Sequence, residues 1–261
     1  MSEARVVVER LAKTFYDESR GEVRAVNGVD FDADAGEIFG LLGANGAGKT
    51  TTLRMLATIL RPTAGRARVM GHDVVTEGPA VRRSLGFYSA STALYPRLTA
   101  RETLEFFARV NQYPPERVEA RVEELIGRLD IGEYADVRVE KLSTGMKQKV
   151  SIARTIAHDP PVLIFDEPTV GLDVINAIEM QRVLRTLRDE GKSIIFSTHI
   201  MSEAEKLCNR IAIIHRGEIL ACDTLDGLRD ATGQHYLEDI FLHYVGGPDV
   251  LAAAVQPPKP R

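Results

Sequence analysis

A glycine-rich segment, residues 43–50, is the feature of the sequence that most constrains the fold. It follows the apolar run Ile38–Leu42 and matches the pattern G-x-x-x-x-G-K-[ST], which ends at Lys49 and Thr50. Glycines allow successive backbone N–H groups to turn inward around phosphate oxygens. In loops of this pattern the lysine reaches the β- and γ-phosphates of a nucleotide, and the hydroxyl is a ligand for Mg²⁺. The segment therefore predicts a strand, a phosphate-binding loop and a helix, in that order.

The helix predicted after the loop reinforces the phosphate site, because the positive end of its dipole favours bound anions. A glycine-rich turn without a ligand is the alternative interpretation. The fixed residues of the pattern and the strand–loop–helix context all favour phosphate binding instead. The residues expected to contact the nucleotide are Gly43, Asn45, Gly46, Ala47, Gly48, Lys49, Thr50 and Thr51.

Composition and charge argue against several classes of protein. The 261 residues carry a net charge of −4, so the chain lacks the basic character expected of a nucleic-acid binder. No apolar run approaches the roughly 20 residues of a membrane-spanning helix, and the N terminus lacks the apolar stretch of a signal peptide. We therefore expect a cytosolic protein that reaches a membrane only through a partner. Cys208 and Cys222 have no metal-site spacing, and we expect them to be reduced and partly buried.

Polar residues follow two further apolar runs, and they point to one edge of a sheet. Residues 162–165 and 193–196 are short and dense in apolar side chains, as in strands buried on both faces of a parallel sheet. The first run is followed by Asp166 and Glu167, and the second by residues 197–199. Ligands of open α/β sheets bind outside the carboxyl ends of the strands. We therefore expect these polar groups to meet the phosphate-binding loop.

The remaining chain divides into strands at both ends and helices in the middle. Residues 6–8 and 23–31 have strand character, and residues 211–215 and 218–222 predict a hairpin with a glycine turn. From about residue 89 to 161 the periodicity is helical, with a capping box at residues 99–102 and a second helix after Pro115. The apolar stripes of these helices are expected to pack in the core. The tail, residues 246–261, is expected to be disordered.

Four sequence elements follow the loop in a fixed order. They are residues 142–148 (LSTGMKQ), the run 162–165 with Asp166 and Glu167, residues 171–173 (GLD), and His199. With them the chain resembles the ATP-binding cassette (ABC) ATPases over roughly residues 5 to 245. One such element is common by chance, but all of them in order are specific to that family.

The resemblance implies a fold and a domain organisation. The fold is α/β, with a P-loop NTPase (RecA-like) core, an N-terminal antiparallel β-subdomain and an inserted helical subdomain. We expect a single ABC ATPase domain over residues 1–245, with its core in residues 1–88 and 162–245 and the helical subdomain in residues 89–161.

The chemistry of phosphoryl transfer fits the acidic pair, because it needs charge neutralisation and positioning more than covalent help. Asp166, at a strand end, is placed to hold Mg²⁺ or its water shell, and Glu167 is the candidate general base for the attacking water. A surface carboxylate pair before Pro168 is the alternative. The resemblance implies that His199 contacts the γ-phosphate, although lone histidines after strands are more often structural.

Residues 142–146 correspond to the family signature, usually written LSGGQ. Ser143 offers a hydroxyl and Gly145 allows close backbone approach at a helix N terminus, which favours phosphate. In the family this surface faces the ATP bound to a second subunit in a head-to-tail dimer, and the residue matched by Asp173 lies near that interface. A simple helix cap would explain Ser143 but not Gly145.

An aromatic residue near the N terminus is the adenine contact that the resemblance implies. The family usually stacks the adenine on a ring at this place, which corresponds to Phe15, with Tyr16 as the alternative. A ring buried in the strand for packing alone is a further interpretation.

The sequence departs from the family pattern in two places. Thr144 and Met146 replace the usual glycine and glutamine of the signature. Ala90 stands where the family has a glutamine that touches Mg²⁺ and links the ATP site to the helical insertion. A water, or a hydroxyl among Ser89, Ser91 and Thr92, is then needed to take over part of that role.

Three segments resemble the NatA-type ATPases of sodium-exporting ABC systems: the loop around residues 89–99, residues 142–149 and residues 196–205. The resemblance implies an ATPase that uses ATP and Mg²⁺, dimerises with a second ATPase subunit, expected to be an identical copy, and powers a separate integral-membrane permease. It would then lie at the inner face of the cell membrane, bound through the permease. Related subunits drive drug, lipid or polysaccharide export. A soluble ABC protein acting on DNA or the ribosome, and a nucleotide sensor with little turnover, are the remaining alternatives.

Overall fold

The computed structural model describes residues 4–18, 21–89 and 92–246, and within them the strands form two sheets. The strands, numbered along the chain, are β1 (Val6–Asp17), β2 (Gly21–Ala33), β3 (Ile38–Leu42), β4 (Ala64–Val69), β5 (His72–Asp73), β6 (Leu85–Ser89), β7 (Val162–Asp166), β8 (Ser193–Thr198), β9 (Arg210–His215) and β10 (Glu218–Asp223).

The central sheet has the order β10-β9-β3-β8-β7-β6 in the described residues. Among the described strands of this sheet, β6, β7, β8, β3 and β9 pair in parallel, and only β10 runs antiparallel to its neighbour β9. The carboxyl ends of β3, β7 and β8 therefore lie side by side. The predicted meeting of their polar ends at one edge of the sheet is observed.

The central strands are buried on both faces, as their apolar runs predicted. Successive residues of β7 point to opposite sides. Val162 and Ile164 pack in the hydrophobic cluster shared with the N-terminal strands β1 and β2. Leu163 and Phe165 pack in the hydrophobic cluster shared with the middle helices. The sheet thus lies between two hydrophobic clusters. Packing on both faces fixes the strands that carry the polar residues at their carboxyl ends.

The second sheet is antiparallel, with the order β2-β1-β4-β5 in the described residues. β1 runs to Asp17, well beyond the predicted residues 6–8, whereas β2 adds only two residues at each end of the predicted residues 23–31. The apolar pattern missed the extension because the far half of this ribbon is largely exposed, and because the β1–β2 register shifts between Val8 and Leu11, around the left-handed Arg10.

Helices cover the central sheet and fill the middle of the chain. Short 3₁₀ segments at Pro115–Arg117, Gly132–Tyr134 and Val139–Lys141 join some of them. The helices of the described residues are α1 (Lys49–Leu56), α2 (Gly78–Ser84), α3 (Ala100–Val110), α4 (Val118–Arg128), α5 (Thr144–Thr155), α6 (Val174–Asp189), α7 (Met201–Leu207), α8 (Leu225–Thr232) and α9 (Leu237–Val245).

The predicted capping box starts α3. Thr99 Oγ1 accepts from the Glu102 N–H at 3.1 Å, and Glu102 Oε2 accepts from the Thr99 N–H at 2.8 Å. Leu104 and Ala108 of α3 pack with Val122 and Leu125 of α4 in one buried cluster, as the apolar stripes indicated.

Two further expectations have a structural outcome. Within the described ranges every helix is too short or too polar to span a bilayer. Cys208 and Cys222 are both free thiols, but Cys222 lies exposed on β10, so the expectation of partial burial is right only for Cys208. The predictions for Ala90 and for the tail beyond residue 246 lie outside the described residues.

Candidate functional site

The glycine-rich loop connects β3 to α1 and passes through two places where only glycine fits. A Cβ at residue 43 would lie 2.3 Å from the Ile214 carbonyl oxygen, and one at residue 48 would lie 2.6 Å from the Ala25 carbonyl oxygen. Gly48 also has a φ of 109°, which disfavours any side chain. The two glycines therefore let the loop press against the strands below it while its other side stays open.

The hairpin turn between β9 and β10 supports the loop from beneath. Gly217 donates its N–H to the Ala47 carbonyl at 2.8 Å, and the Gly217 carbonyl accepts from the Asn27 N–H at 2.8 Å. The turn thus joins the loop to both sheets. The hairpin was predicted from the sequence, but its contact with the loop was not, because the two segments are far apart in the chain.

The Lys49 ammonium lies inside the loop and is almost completely buried. Its Nζ donates to the Gly43 and Ala44 carbonyl oxygens at 2.6 and 3.1 Å. It also lies 3.0 Å from Glu167 Oε1. The two carbonyls aim the ammonium across the mouth of the loop, where it already holds one carboxylate oxygen. A phosphate oxygen is the same kind of acceptor.

Asp166 ends β7 and faces the first turn of α1. Thr50 Oγ1 and Ser197 Oγ both donate to Asp166 Oδ1, at 3.1 and 2.7 Å. The Thr50 hydroxyl proton is therefore directed to Asp166, which leaves its oxygen lone pairs for another partner. A hydroxyl and a carboxylate beside a phosphate-binding loop form the hard oxygen donor set that Mg²⁺ prefers. These two residues thus fit the predicted metal site.

Glu167 is held by its backbone as well as by its carboxylate. Its φ is 47°, a left-handed conformation that is unusual for a non-glycine residue. Its N–H donates to both the carbonyl and the hydroxyl oxygen of Ser197, at 3.2 and 3.0 Å. This backbone conformation turns the carboxylate towards Lys49 and His199, whose Nδ1 lies 3.4 Å from Glu167 Oε1.

The electrostatics of the site keep Glu167 ionised. Burial alone would raise the pKa of its carboxyl group, but the hydrogen bond and the charge of Lys49, with a smaller effect of His199, outweigh burial and lower that pKa. Glu167 can therefore accept a proton at neutral pH. The structure thus brings together Lys49, Thr50, Asp166, Glu167 and His199, all of which the sequence singled out.

The predicted signature residues lie elsewhere on the surface. Ser143 caps α5, and its Oγ accepts from the Met146 N–H at 3.3 Å. Gly145 lies beside Asn176, but an added Cβ would meet Asn176 only at ordinary contact distance, 3.5 Å. Packing among the described residues therefore gives no steric reason for a glycine here.

Asp173 shares this surface with the signature residues. It caps α6, and its carboxylate accepts from the backbone and side-chain N–H groups of Asn176 at 2.9 and 2.6 Å. The hydrogen bond from the Asn176 backbone is the main reason that the pKa of Asp173 is lowered. Ser143, Gly145 and Asn176 line one open depression of about 420 Å³, whose lining includes no residue of the phosphate-binding loop.

Phe15 lies on β1 and is 39% exposed, whereas Tyr16 beside it is 81% exposed. The Lys13 ammonium lies 5.1 Å from the centre of the Phe15 ring. Both aromatic rings border an open depression that Asn27 also lines. The Asn27 N–H also donates to the carbonyl of Gly217, whose turn supports the loop, so the Phe15 ring lies to one side of the phosphate-binding loop. Its contact with adenine stays a prediction.

A cavity of about 480 Å³ lies between the core and the middle helices. It is bordered by Tyr88, Thr92 and Leu94 on one side and by Gln148 and Pro168 on the other. Gln148 Nε2 donates to the Pro168 carbonyl at 3.4 Å and so joins α5 to the segment that follows Glu167. This hydrogen bond was not predicted from the sequence, although Gln148 lies within the segment of residues 142–148.

The sequence is similar to a known protein family and to characterised proteins. Residues 26–170 match the family described as ABC transporter. The chain is 39% identical over 228 residues to the ABC transporter ATP-binding protein NatA of Bacillus subtilis (strain 168), covering 87% of this chain and 93% of that protein. It is 36% identical over 246 residues to the daunorubicin resistance ATP-binding protein DrrA3 of Streptomyces coeruleorubidus, covering 94% and 76%.

Solved structures give the same fold. One, described as the ATP binding subunit of an ABC transporter, superposes with a TM-score of 0.82 at 28% identity and covers 92% of this chain and 98% of that chain. Another is a dimeric ATP-binding cassette in a post-hydrolysis state with bound ADP and Pi. It has a TM-score of 0.75 at 26% identity, with coverage of 84% and 98%.

Proposed function

The chain belongs to the ABC transporter family as an ATP-binding subunit with ATPase activity, and on that premise we propose that it powers export through a separate membrane permease. The observation that carries the proposal is the meeting of Lys49, Asp166, Glu167 and His199 at the carboxyl edge of the sheet. This edge supplies a cation, an oxygen donor set for Mg²⁺ and a base, which are the groups that phosphoryl transfer to water needs.

We propose that the nucleotide phosphates lie in the loop of residues 43–51 and accept hydrogen bonds from its backbone and from Lys49. Thr50 and Asp166 would hold Mg²⁺, which supplies charge neutralisation on the phosphate oxygens when bound. Glu167, ionised and fixed by Ser197, accepts a proton from the attacking water. His199 contacts the γ-phosphate, and its place beside Glu167 Oε1 supports that role.

We propose further that two copies of the chain form a head-to-tail dimer, in which Ser143 and Gly145 of one copy complete the site of the other. No residue of the phosphate-binding loop lines the depression that Ser143 and Gly145 border, and this supports the arrangement, as does the dimeric solved relative. Val174 and Ile175, beside Asp173, are 74% and 72% exposed. Apolar side chains this exposed next to a polar rim are typical of an interface.

A mixing experiment tests the shared site. Lys49→Ala removes the phosphate contact of one copy, and Gly145→Asp places a carboxylate where phosphate would approach. The fold tolerates a side chain at residue 145, because an added Cβ meets Asn176 only at 3.5 Å. We expect each variant alone to hydrolyse almost no ATP and their mixture to regain measurable activity, because a mixed dimer contains one intact site. A mixture no more active than its components would contradict the shared site.

The permease is expected to contact the middle helices. We propose that these helices form a subdomain within residues 89–161, and that the permease binds near residues 89–99, beside Tyr95. Tyr95 is 52% exposed and packs against Phe106 and Phe107, so an aromatic surface faces outward there. Bound in this way, the chain would lie at the inner face of the cell membrane.

We propose sodium ion as the substrate of the transporter, because the loop around residues 89–99 and the segment 196–205 resemble the NatA-type ATPases of sodium-exporting systems, and the chain is similar to a NatA protein over most of its length. An organic drug is the second candidate for the substrate, because the DrrA3 relative is described as a daunorubicin resistance protein. In inside-out vesicles that contain the chain and its permease, we expect ATP-dependent uptake of radioactive sodium, which Glu167→Gln abolishes. ATP-dependent uptake of daunorubicin without sodium uptake would favour the second candidate.

A further inference from the structure

Ser197 makes two hydrogen bonds that join the two consecutive acidic residues of the site. Its Oγ donates to Asp166 Oδ1 at 2.7 Å and accepts from the Glu167 N–H at 3.0 Å. The direction of both bonds is fixed, because a carboxylate only accepts and an amide N–H only donates. One completely buried hydroxyl thus contacts the proposed metal-binding carboxylate and the backbone of the proposed base.

The position of Ser197 in the sheet explains this geometry. Asp166 and Ser197 are register partners in the parallel pair of β7 and β8. β7 ends at Asp166, and the chain then turns through the left-handed Glu167, whose N–H is within reach of both oxygens of Ser197. Such a backbone conformation persists only where its surroundings hold it in place. Ser197 supplies two of the acceptors that do so.

We propose that Ser197 is a positioning residue of the ATPase site. Its donated hydrogen bond fixes the Asp166 carboxylate beside Thr50, and its accepted hydrogen bond holds the Glu167 backbone so that the carboxylate points at Lys49 and His199. The inference rests on the proposed function, because it requires that Asp166 binds the metal ion and that Glu167 accepts the proton. Loss of the hydroxyl is therefore expected to affect metal affinity and turnover, and to leave the phosphate contacts of the loop intact.

Ser193 gives a matched control at the other end of the same strand. Its side chain is also completely buried, and its Oγ has no hydrogen-bond partner within the described part of the chain. Ser193→Ala therefore removes a buried serine hydroxyl from β8 without touching the site. Ser193→Ala thus controls for the removal of a buried hydroxyl from β8, and thermal unfolding of both variants measures any loss of stability, whereas an effect on the acidic pair will be confined to Ser197→Ala.

The test measures binding and turnover separately on the purified full chain. Mn²⁺ affinity in the presence of ADP is measured by electron paramagnetic resonance, ADP affinity is measured in EDTA, and kcat and KM for ATP are measured at saturating Mg²⁺. For Ser197→Ala we expect roughly tenfold weaker Mn²⁺ binding and a lower kcat, which is the usual effect of removing a group that orients a metal ligand. KM and the ADP affinity in EDTA are expected to stay at the wild-type values.

The outcomes separate this inference from the proposed function. Ser197→Cys keeps a weak donor in a similar volume, so an intermediate Mn²⁺ affinity supports the role of the hydrogen bond. Wild-type Mn²⁺ affinity and kcat in Ser197→Ala would overturn the inference, and so would equal losses in Ser193→Ala. If Lys49→Ala also bound ADP normally, the proposed nucleotide site itself would be wrong.

Discussion

Glu167→Gln is expected to lower the kcat of ATP hydrolysis by about a hundredfold or more and to leave ATP binding intact. The carboxylate is within 3.0 Å of Lys49, and this contact keeps its pKa low enough for it to be a proton acceptor at neutral pH. Glutamine has nearly the same shape but no basic oxygen. The variant should therefore keep the geometry of the site and lose the step in which water gives up its proton.

The same substitution should not weaken nucleotide binding, because it removes a negative charge that shares Lys49 with the phosphates. With hydrolysis blocked, we expect the ATP-bound dimer to accumulate. Size-exclusion chromatography with ATP and Mg²⁺ measures the dimer, and phosphate release measures turnover. Glu9→Gln, an exposed glutamate on β1, serves as the control and should behave as the wild type. Wild-type hydrolysis by Glu167→Gln would refute the role assigned to Glu167.

Lys49→Ala is expected to weaken nucleotide binding by roughly tenfold to a hundredfold, which corresponds to loss of a charge-assisted hydrogen bond of about 1.5–3 kcal/mol. The ammonium is buried inside the loop, where the Gly43 and Ala44 carbonyls aim it. Alanine leaves these carbonyls without their donor and leaves the phosphates without a cation. Isothermal titration with ADP measures the effect without any contribution from dimer formation or hydrolysis.

Lys206→Ala is the matched control for this measurement, because Lys206 is an exposed lysine on α7. It should bind ADP as the wild type does. Thermal unfolding of both variants shows whether the fold survives the loss of a buried lysine. An ADP affinity for Lys49→Ala equal to that of the wild type, in a protein that remains folded, would be incompatible with a phosphate-binding loop at residues 43–50.

The sequence predicted best those parts of the fold that a local pattern determines. β7 and β8 could be found because both faces of each strand are buried, which demands a continuous apolar run, and the capping box of α3 lies within four residues. The proximity of Lys49, Asp166 and Glu167 followed from the rule that parallel strands bring their carboxyl ends to one edge.

The contacts that the sequence could not reveal are long-range. Neither the support of Ala47 by Gly217 nor the hydrogen bond from Gln148 to Pro168 has a local signal. Ser197 did have a local signal in the sequence, because it is one of the polar residues that follow the apolar run of β8. However, its bonds to Asp166 and Glu167 depend on the register of two strands, and a hydrophobic pattern does not specify which residues face each other.

The role in transport is tested most directly by the proteins that co-purify with the full chain from gently solubilised membranes, identified by mass spectrometry. We expect a polytopic membrane protein in stoichiometric amount, retained by the Glu167→Gln variant in the presence of ATP. Its identity would then direct the sodium and drug transport measurements. Co-purification of ribosomal proteins or DNA-repair factors, with no membrane protein, would contradict the role in transport and assign the ATPase to a soluble process.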